Sequence, residues 1–163
     1  MSRHFSNLIP ASLVAVGLLV FAQGAQAGDA AVFAPIKQMM DGFNKGDIKS
    51  AKAVHVASPV IVDEFGPPYV WTGPQAFDTW VAGLTKSEAA EGKTDGVVNF
   101  GTPVRESVVG TTAYVVTPCT YTFKQKGKTL RETGTTTFIL TRFKSGWKIR
   151  SWTWASPEGV PLG

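Results

Sequence analysis

The sequence predicts an α+β domain in which a cone-like, curled antiparallel β-sheet packs on three N-terminal helices. Three observations predict it. Apolar residues at helical three- and four-residue spacing are confined to the first half of the chain. From Val97 onward, β-branched and aromatic segments follow one another with Gly-containing turns between them. Pro103, Pro118 and Gly134 fall inside those segments, where such residues mark the bulges and bends that curl a sheet around a cavity. The clearest segment is residues 135–155 (TTTFILTRFKSGWKIRSWTWA), two arms joined at Lys144-Ser145-Gly146 and carrying Phe138, Phe143, Trp147, Trp152 and Trp154. A hairpin this apolar is not stable alone in water and needs further strands and a helical layer to cover it.

The N-terminus carries Arg3, an uncharged run over residues 8–22 and then Ala25-Gln26-Ala27, small residues at the spacing a signal peptidase reads. The run, about fifteen residues, falls short of the roughly 20 that span a bilayer as a helix. Residues 1–27 are therefore expected to be a secretory signal cut after Ala27. Residues 28–163 then form one domain, periplasmic or secreted, with no membrane attachment after cleavage. The first helix begins at Asp29 as cap and carries Val32, Phe33, Ile36, Met39, Met40 and Phe43 on one stripe. Gly46 suits its end and Asp47 the cap of a short second helix bearing Ile48, Ala51 and Val54.

A strand is predicted over residues 59–65 (PVIVDEF), ending in Asp63 and Glu64 ahead of the Gly66-Pro67-Pro68 turn. Thr72-Gly73-Pro74-Gln75 predicts the start of a third helix, with Phe77, Trp80, Val81 and Leu84 at i, i+3, i+4 and i+7 and fraying over residues 87–92. Strands are predicted over residues 97–109, 112–124, 128–143 and 147–155, with turns at Gly110, Lys126-Gly127 and Ser145-Gly146.

The chain has 16 Lys and Arg against 12 Asp and Glu, a formal net charge of +4, but the basic residues are scattered and no aromatic-interleaved basic stripe exists. That pattern argues against nucleic acid as a partner. The one cysteine, Cys119, excludes an intramolecular disulfide and reads as a small buried hydrophobe within an apolar strand. No zinc-type cysteine spacing, dinucleotide fingerprint, Walker loop or nucleophile elbow occurs, so no cofactor and no metal is expected. His55, the sole histidine after cleavage, sits at a helix end, where a structural or dipole-interacting role is expected.

The candidate chemistry lies at Asp63. On a strand, Asp63 and Glu64 point to opposite faces, so at most one faces the cavity. If Asp63 does, desolvation among aromatic rings favours its neutral form, as a general acid or base near neutral pH requires. Otherwise it caps a turn or pairs with Arg105 or Arg150. Tyr69, Trp71, Trp80, Tyr114, Tyr121, Trp152 and Trp154, with Met39 on the first helix, are candidates to line an apolar pocket while offering indole N–H or phenol O–H donors. Core packing and copy-to-copy contact are the alternative uses of each.

Phe43-Asn44-Lys45-Gly46-Asp47, residues 60–73 (VIVDEFGPPYVWTG) and Gly146-Trp147-Lys148-Ile149 with Trp152 resemble the nuclear transport factor 2-like superfamily, in its SnoaL-like and ketosteroid-isomerase-like branch. The resemblance implies the cystatin-like cone, a homodimer formed across the sheet, and a small apolar or aromatic ligand. On the isomerase pattern Asp63 takes the position of the general base. The two positions that hold hydrogen-bond donors for the enolate fall on Met39 and Ile139, neither of which can donate, which disfavours steroid isomerisation. The paired histidines implied by scytalone-dehydratase-like members are missing. The expectation is an exported binder of a small molecule without established catalysis. Its alternatives are an acid/base isomerase, cyclase or dehydratase using Asp63, and a homodimeric interaction module of the cell envelope.

Overall fold

The computed structural model describes residues 29–157 and 159–162; the expected secretory signal lies outside them. Asp29 caps α1 (Ala30–Asn44), its side chain accepting the Ala31 N–H at 2.9 Å. Asp47 caps α2 (Ile48–Ala53) in the same way through Ser50 N–H at 2.9 Å. Each cap supplies an acceptor to a helix N-terminus whose first N–H groups have no intrahelical partner. Val32, Ile36 and Met39 fill the buried stripe of α1.

The strands follow as β1 (His55–Val62), β2 (Val70–Thr72), β3 (Lys93–Phe100), β4 (Arg105–Val109), β5 (Thr112–Gln125), β6 (Lys128–Phe143), β7 (Gly146–Ala155) and β8 (Val160–Pro161), with α3 (Ala76–Glu91) between β2 and β3. They form one sheet ordered β2-β1-β7-β6-β5-β3, with β4 also on β5 and β8 on β6. The sheet is mixed, which corrects the antiparallel expectation: β1 runs parallel to β7 while the other pairs are antiparallel. No tight turn joins β1 to β7, so hairpin geometry does not dictate their relative direction.

Three local expectations are corrected. Residues 97–109 make two strands, because the chain breaks after Phe100 and rejoins β5 further along, with Gly101 N–H on Pro118 O at 2.8 Å and Val104 N–H on Val116 O at 2.9 Å. Thr72 belongs to β2 and not to a capping box; the N-cap of α3 is Gln75, with no side-chain capping bond. Residues 87–91 do not fray. Gly92 closes α3 at φ 68, a left-handed backbone that glycine adopts without strain, and Gln125 Nε2 donates to Glu91 O at 3.1 Å.

The β5–β6 turn has both central residues at positive φ, Lys126 at 50 and Gly127 at 76, the twist that matches a two-residue hairpin. Along β7, Leu140 pairs with Ile149 but Ile139 pairs with Ser151, so Arg150 is an extra residue. This bulge reverses the strand's alternation. Ile149 faces the core, and beyond the bulge the inward positions become Trp152 and Trp154. The core itself lies between the helices and the concave face, around Ile36, Ile61, Phe77, Phe138, Leu140 and Ile149.

Candidate functional site

The sheet curls away from the helices towards the end of α3 and leaves a cavity of about 670 Å³. Met39 and Phe43 of α1, Trp80 and Leu84 of α3, Phe100 of β3 and Trp152 of β7 supply its apolar wall. Its size and lining are those of a small-molecule pocket.

β1 ends at Val62, so Asp63 and Glu64 lie in the following turn, where strand alternation does not apply, and both line the cavity. The expectation that at most one faces inward is thereby corrected. The turn is held by Asp63 N–H on Tyr69 O at 3.1 Å and Tyr69 N–H on Gly66 O at 3.2 Å. Asp63 Oδ2 accepts the Trp80 indole N–H at 2.9 Å and Oδ1 accepts the Glu64 backbone N–H at 2.7 Å. Burial raises the Asp63 carboxyl above the usual carboxylate range, and these hydrogen bonds, which favour the anion, oppose it only in part. Among the described residues Asp63 forms no ion pair; Arg105 lies over the Tyr114 ring, 5.7 Å from its centroid, and Arg150 is exposed.

Glu64 has a structural task. It accepts from Trp154 Nε1 at 2.9 Å, Ser156 N at 3.1 Å and Ser156 Oγ at 2.8 Å, tying the end of β7 to the turn after β1.

Trp80 stands edge-on to Trp152, ring centroids 4.9 Å apart at 87°. Trp152 donates its indole N–H to His55 Nε2 at 3.2 Å. An indole nitrogen can only donate, so Nε2 accepts and the imidazole proton resides on Nδ1, within 3.0 Å of Ala51 O. His55 opens β1, just past the expected helix end, and stands behind the cavity wall as the support of Trp152. Burial pushes its pKa down to about 4, keeping the ring neutral as this bond requires.

A second polar group gathers at the mouth. Glu88 and Glu91 come from the last turn of α3, Lys93 from the start of β3, Tyr121 from β5 and Glu132 from β6. Tyr121 donates its phenol O–H to Glu88, and Lys93 Nζ lies 3.1 Å from Glu91 and 3.5 Å from Glu132. Sequence reasoning named Tyr121 but missed Glu88 and Glu91, because it treated residues 87–92 as frayed, and missed Lys93 and Glu132, which only the pairing of the strands brings alongside. The available signal was the i, i+3 spacing of Glu88 and Glu91, which places both on one face once the helix continues.

Of the aromatic and Met candidates, Met39, Trp80, Tyr121, Trp152 and Trp154 line the cavity together with Asp63. Tyr69, Trp71 and Tyr114 do not, and their placement as ligand contacts is corrected. Tyr69 is 51% exposed in the turn at φ 62, Trp71 is stacked on Phe65 within the core at 4.9 Å, and Tyr114, 36% exposed, projects from the outer face of β5. Ile139, paired with Tyr114 and Ser151, shares that outer face; the β6 residues that line the cavity are Glu132 and, further along the strand, Thr136. Its hydroxyl donates to Cys119 Sγ at 3.1 Å. Cys119 is buried, and burial pushes its thiol up to about 11, so the nucleophilic thiolate is scarce at neutral pH.

The expected role of the aromatics as free donors is changed by these bonds. Trp80 gives its N–H to Asp63, Trp152 to His55 and Trp154 to Glu64, while Tyr121 gives its O–H to Glu88. Of these residues, what remains directed at the cavity is ring surface; the lining adds carboxylate oxygens, the Lys93 ammonium and the Thr85 hydroxyl.

No protein-family model and no curated protein matches this sequence. Solved structures do. A hexachlorocyclohexane dehydrochlorinase from Novosphingobium barchaimii is similar over 82% of this chain and 88% of its own, with a TM-score of 0.68 and 12% identity. A ketosteroid isomerase-like protein from Erwinia carotovora is similar over 79% and 95%, with a TM-score of 0.61 and 16% identity. A superfamily member from Salmonella enterica, described by the same nuclear transport factor 2-like likeness stated above, matches over 78% and 89% with a TM-score of 0.62 and 17% identity. Identities this low carry the fold and leave the activity to the site.

Proposed function

We propose that this chain, which has the nuclear transport factor 2-like fold, binds a small apolar or aromatic molecule in the cavity between α1, α3 and the sheet, and does so after export. The observation that carries the reading is the cavity of about 670 Å³ walled by Met39, Phe43, Trp80, Leu84, Phe100 and Trp152. A sheet face closed by its own side chains would have left no such space. Three of the lining residues are tryptophans, so a bound molecule perturbs indole emission. Titration with a naphthalene-based probe should give saturable quenching, and Leu84→Trp, which fills the space, should weaken it. Non-saturable quenching in the wild type would remove the reading.

A second reading, acid/base catalysis, is favoured by one observation: the raised carboxyl of Asp63, the only carboxylate of the site bonded to the indole of Trp80. With the cavity's indole and phenol donors already engaged, an enolate would find little stabilisation. Proton abstraction coupled to loss of a leaving group makes less demand on such donors, and one structural neighbour is a dehydrochlorinase. Asp63→Asn tests it: the amide preserves shape but cannot take the proton, so turnover should vanish while affinity persists. Affinity and stability lost together would assign Asp63 to structure alone.

A further inference from the structure

We infer that the molecule this cavity takes is a cation, a protonated amine or a similar hydrogen-bond-donating head carried on an aromatic or aliphatic body. The inference rests on the small-molecule reading above and adds the charge and the hydrogen-bonding sense of the ligand.

The first ground is the charge of the lining. Asp63, Glu64, Glu88, Glu91 and Glu132 all contribute to it, against the single basic residue Lys93. The chain as a whole carries +4, so the negative charge is concentrated in the cavity against the molecule's overall sign. A cleft lined by one sign of charge, with low-dielectric walls, focuses the field on what enters it. The carboxylates already feel one another. Burial raises Glu132, Lys93 lowers it in part, and the charges of Glu64 and Glu91 raise it; burial first, and after it Glu88, Glu132 and Glu91, oppose ionisation of the Tyr121 phenol. An added cation relieves that repulsion.

The second ground is the engagement of donors. The N–H groups of Trp80, Trp152 and Trp154 and the O–H of Tyr121 go to Asp63, His55, Glu64 and Glu88. Ser87 Oγ is likewise spent on Glu91 at 2.9 Å, and Asn44 Nδ2 on Val98 O at 2.7 Å. A ligand carboxylate or ketone would find few donors, whereas a ligand N–H finds acceptor oxygens with lone pairs to spare. The indole and phenol rings that line the cavity are themselves cation-seeking surfaces.

Third, the protein contains a small version of the arrangement. Lys93 Nζ sits between Glu91 and Glu132 and 4.6 Å from the centroid of Phe123, so an ammonium is already held there by carboxylates and a ring. A bound metal does not fit as well, because among the described residues no three His, Cys, Asp or Glu side chains are grouped closely enough to hold one.

The test uses three probes of one shape: 2-naphthylmethylammonium, 2-naphthylmethanol and 2-naphthoate, titrated by calorimetry and indole emission at neutral pH and low salt. The ammonium should bind roughly tenfold more tightly than the alcohol, and the naphthoate most weakly, with the gap narrowing as salt is added. Lys93→Gln, which removes the built-in cation, should tighten the ammonium a few fold, while Glu132→Gln should loosen it by about as much. Binding of the alcohol, which carries no charge, should change several-fold less than that of the ammonium in both variants, and equal changes for the two probes would overturn the cationic assignment. An alcohol that binds as well as the ammonium, or a naphthoate that binds best, overturns the cationic assignment and leaves the cavity reading standing. If none of the three saturates, the cavity reading fails and this one with it.

Discussion

Trp80 of α3 donates its indole N–H to Asp63 Oδ2 across 2.9 Å, joining the helical layer to the turn that leaves β1. The same ring meets Trp152 edge-on, so one residue both orients the candidate acid and packs the cavity wall. Trp80→Phe keeps one aromatic ring but removes the donor together with the rest of the indole, so lost packing adds to its cost. The bond lowers the Asp63 carboxyl against the effect of burial, so the variant's carboxyl should titrate higher still. The variant should also lose about 1–3 kcal/mol of stability. Side-chain carboxyl NMR and urea melts read the two effects, and a lower titration midpoint in the variant would contradict the assignment.

Asp63 and His55 should give opposite dependences on pH. His55 is neutral in the fold with a pKa of about 4, against 6.5 for the free side chain. The unfolded chain takes up its proton first as pH falls, so this contribution to stability is complete above 6.5 and lost towards 4, by up to about 3 kcal/mol. His55→Gln should flatten that part of the profile. A wild type equally stable at both ends of the window, relative to the variant, would show that His55 is not held neutral.

The Asp63 carboxyl is raised in the fold, so here the folded chain binds the proton first. Its burial costs stability above the raised pKa, and that cost is relieved as pH falls through the raised pKa towards 3.8. Wild type should therefore gain on Asp63→Asn over that acid window in paired melts. A constant difference would mean that the carboxyl is not perturbed.

Gly134 lies where the end of β7 presses on β6. A Cβ there would stand 2.2 Å from Ala155 O and 2.7 Å from Ser156 Cβ, and the first of these is backbone that cannot rotate aside. Gly134→Ala should cost about 3 kcal/mol and release the β7 terminus, where Trp154 and Ser156 are tied to Glu64. Faster amide exchange at Ser156 would report it; an unchanged melt would show that the strands separate at little cost.

Intact mass of the exported protein should correspond to a chain beginning at Gly28. Arg3, the apolar run and Ala25-Gln26-Ala27 motivate this expectation. Recovery of the full-length chain from membranes would rule it out.

Local pattern reached a good part of the fold. The caps at Asp29 and Asp47, the stripe of Val32, Ile36 and Met39, and the hairpin that joins residues 128–143 to β7 were all legible. Each depends on neighbours within one helical turn or one hairpin, and periodicity records such neighbours directly. Asp63 was legible as a candidate because an acid at the end of an apolar strand stands out by composition. That Trp152 and Trp154 turn inward was not legible, because the extra residue at Arg150 resets the alternation of β7, and a bulge is visible only against the strand it pairs with.

By itself, then, the sequence determined the three helices, the long strands β5, β6 and β7 and that the sheet curls, because backbone propensity and side-chain alternation are properties of short stretches; β2, β8 and the break between β3 and β4 were not legible in it. The tertiary structure alone decided that β1 runs parallel to β7, that Glu88, Glu91, Lys93 and Glu132 meet at one mouth, and that the aromatic donors are spent. Trp152 finds its acceptor 97 positions away at His55 and Trp154 finds its own 90 positions away at Glu64. A hydrogen-bond donor is free or engaged according to what the fold brings within 3 Å or so of it, and no local pattern encodes that.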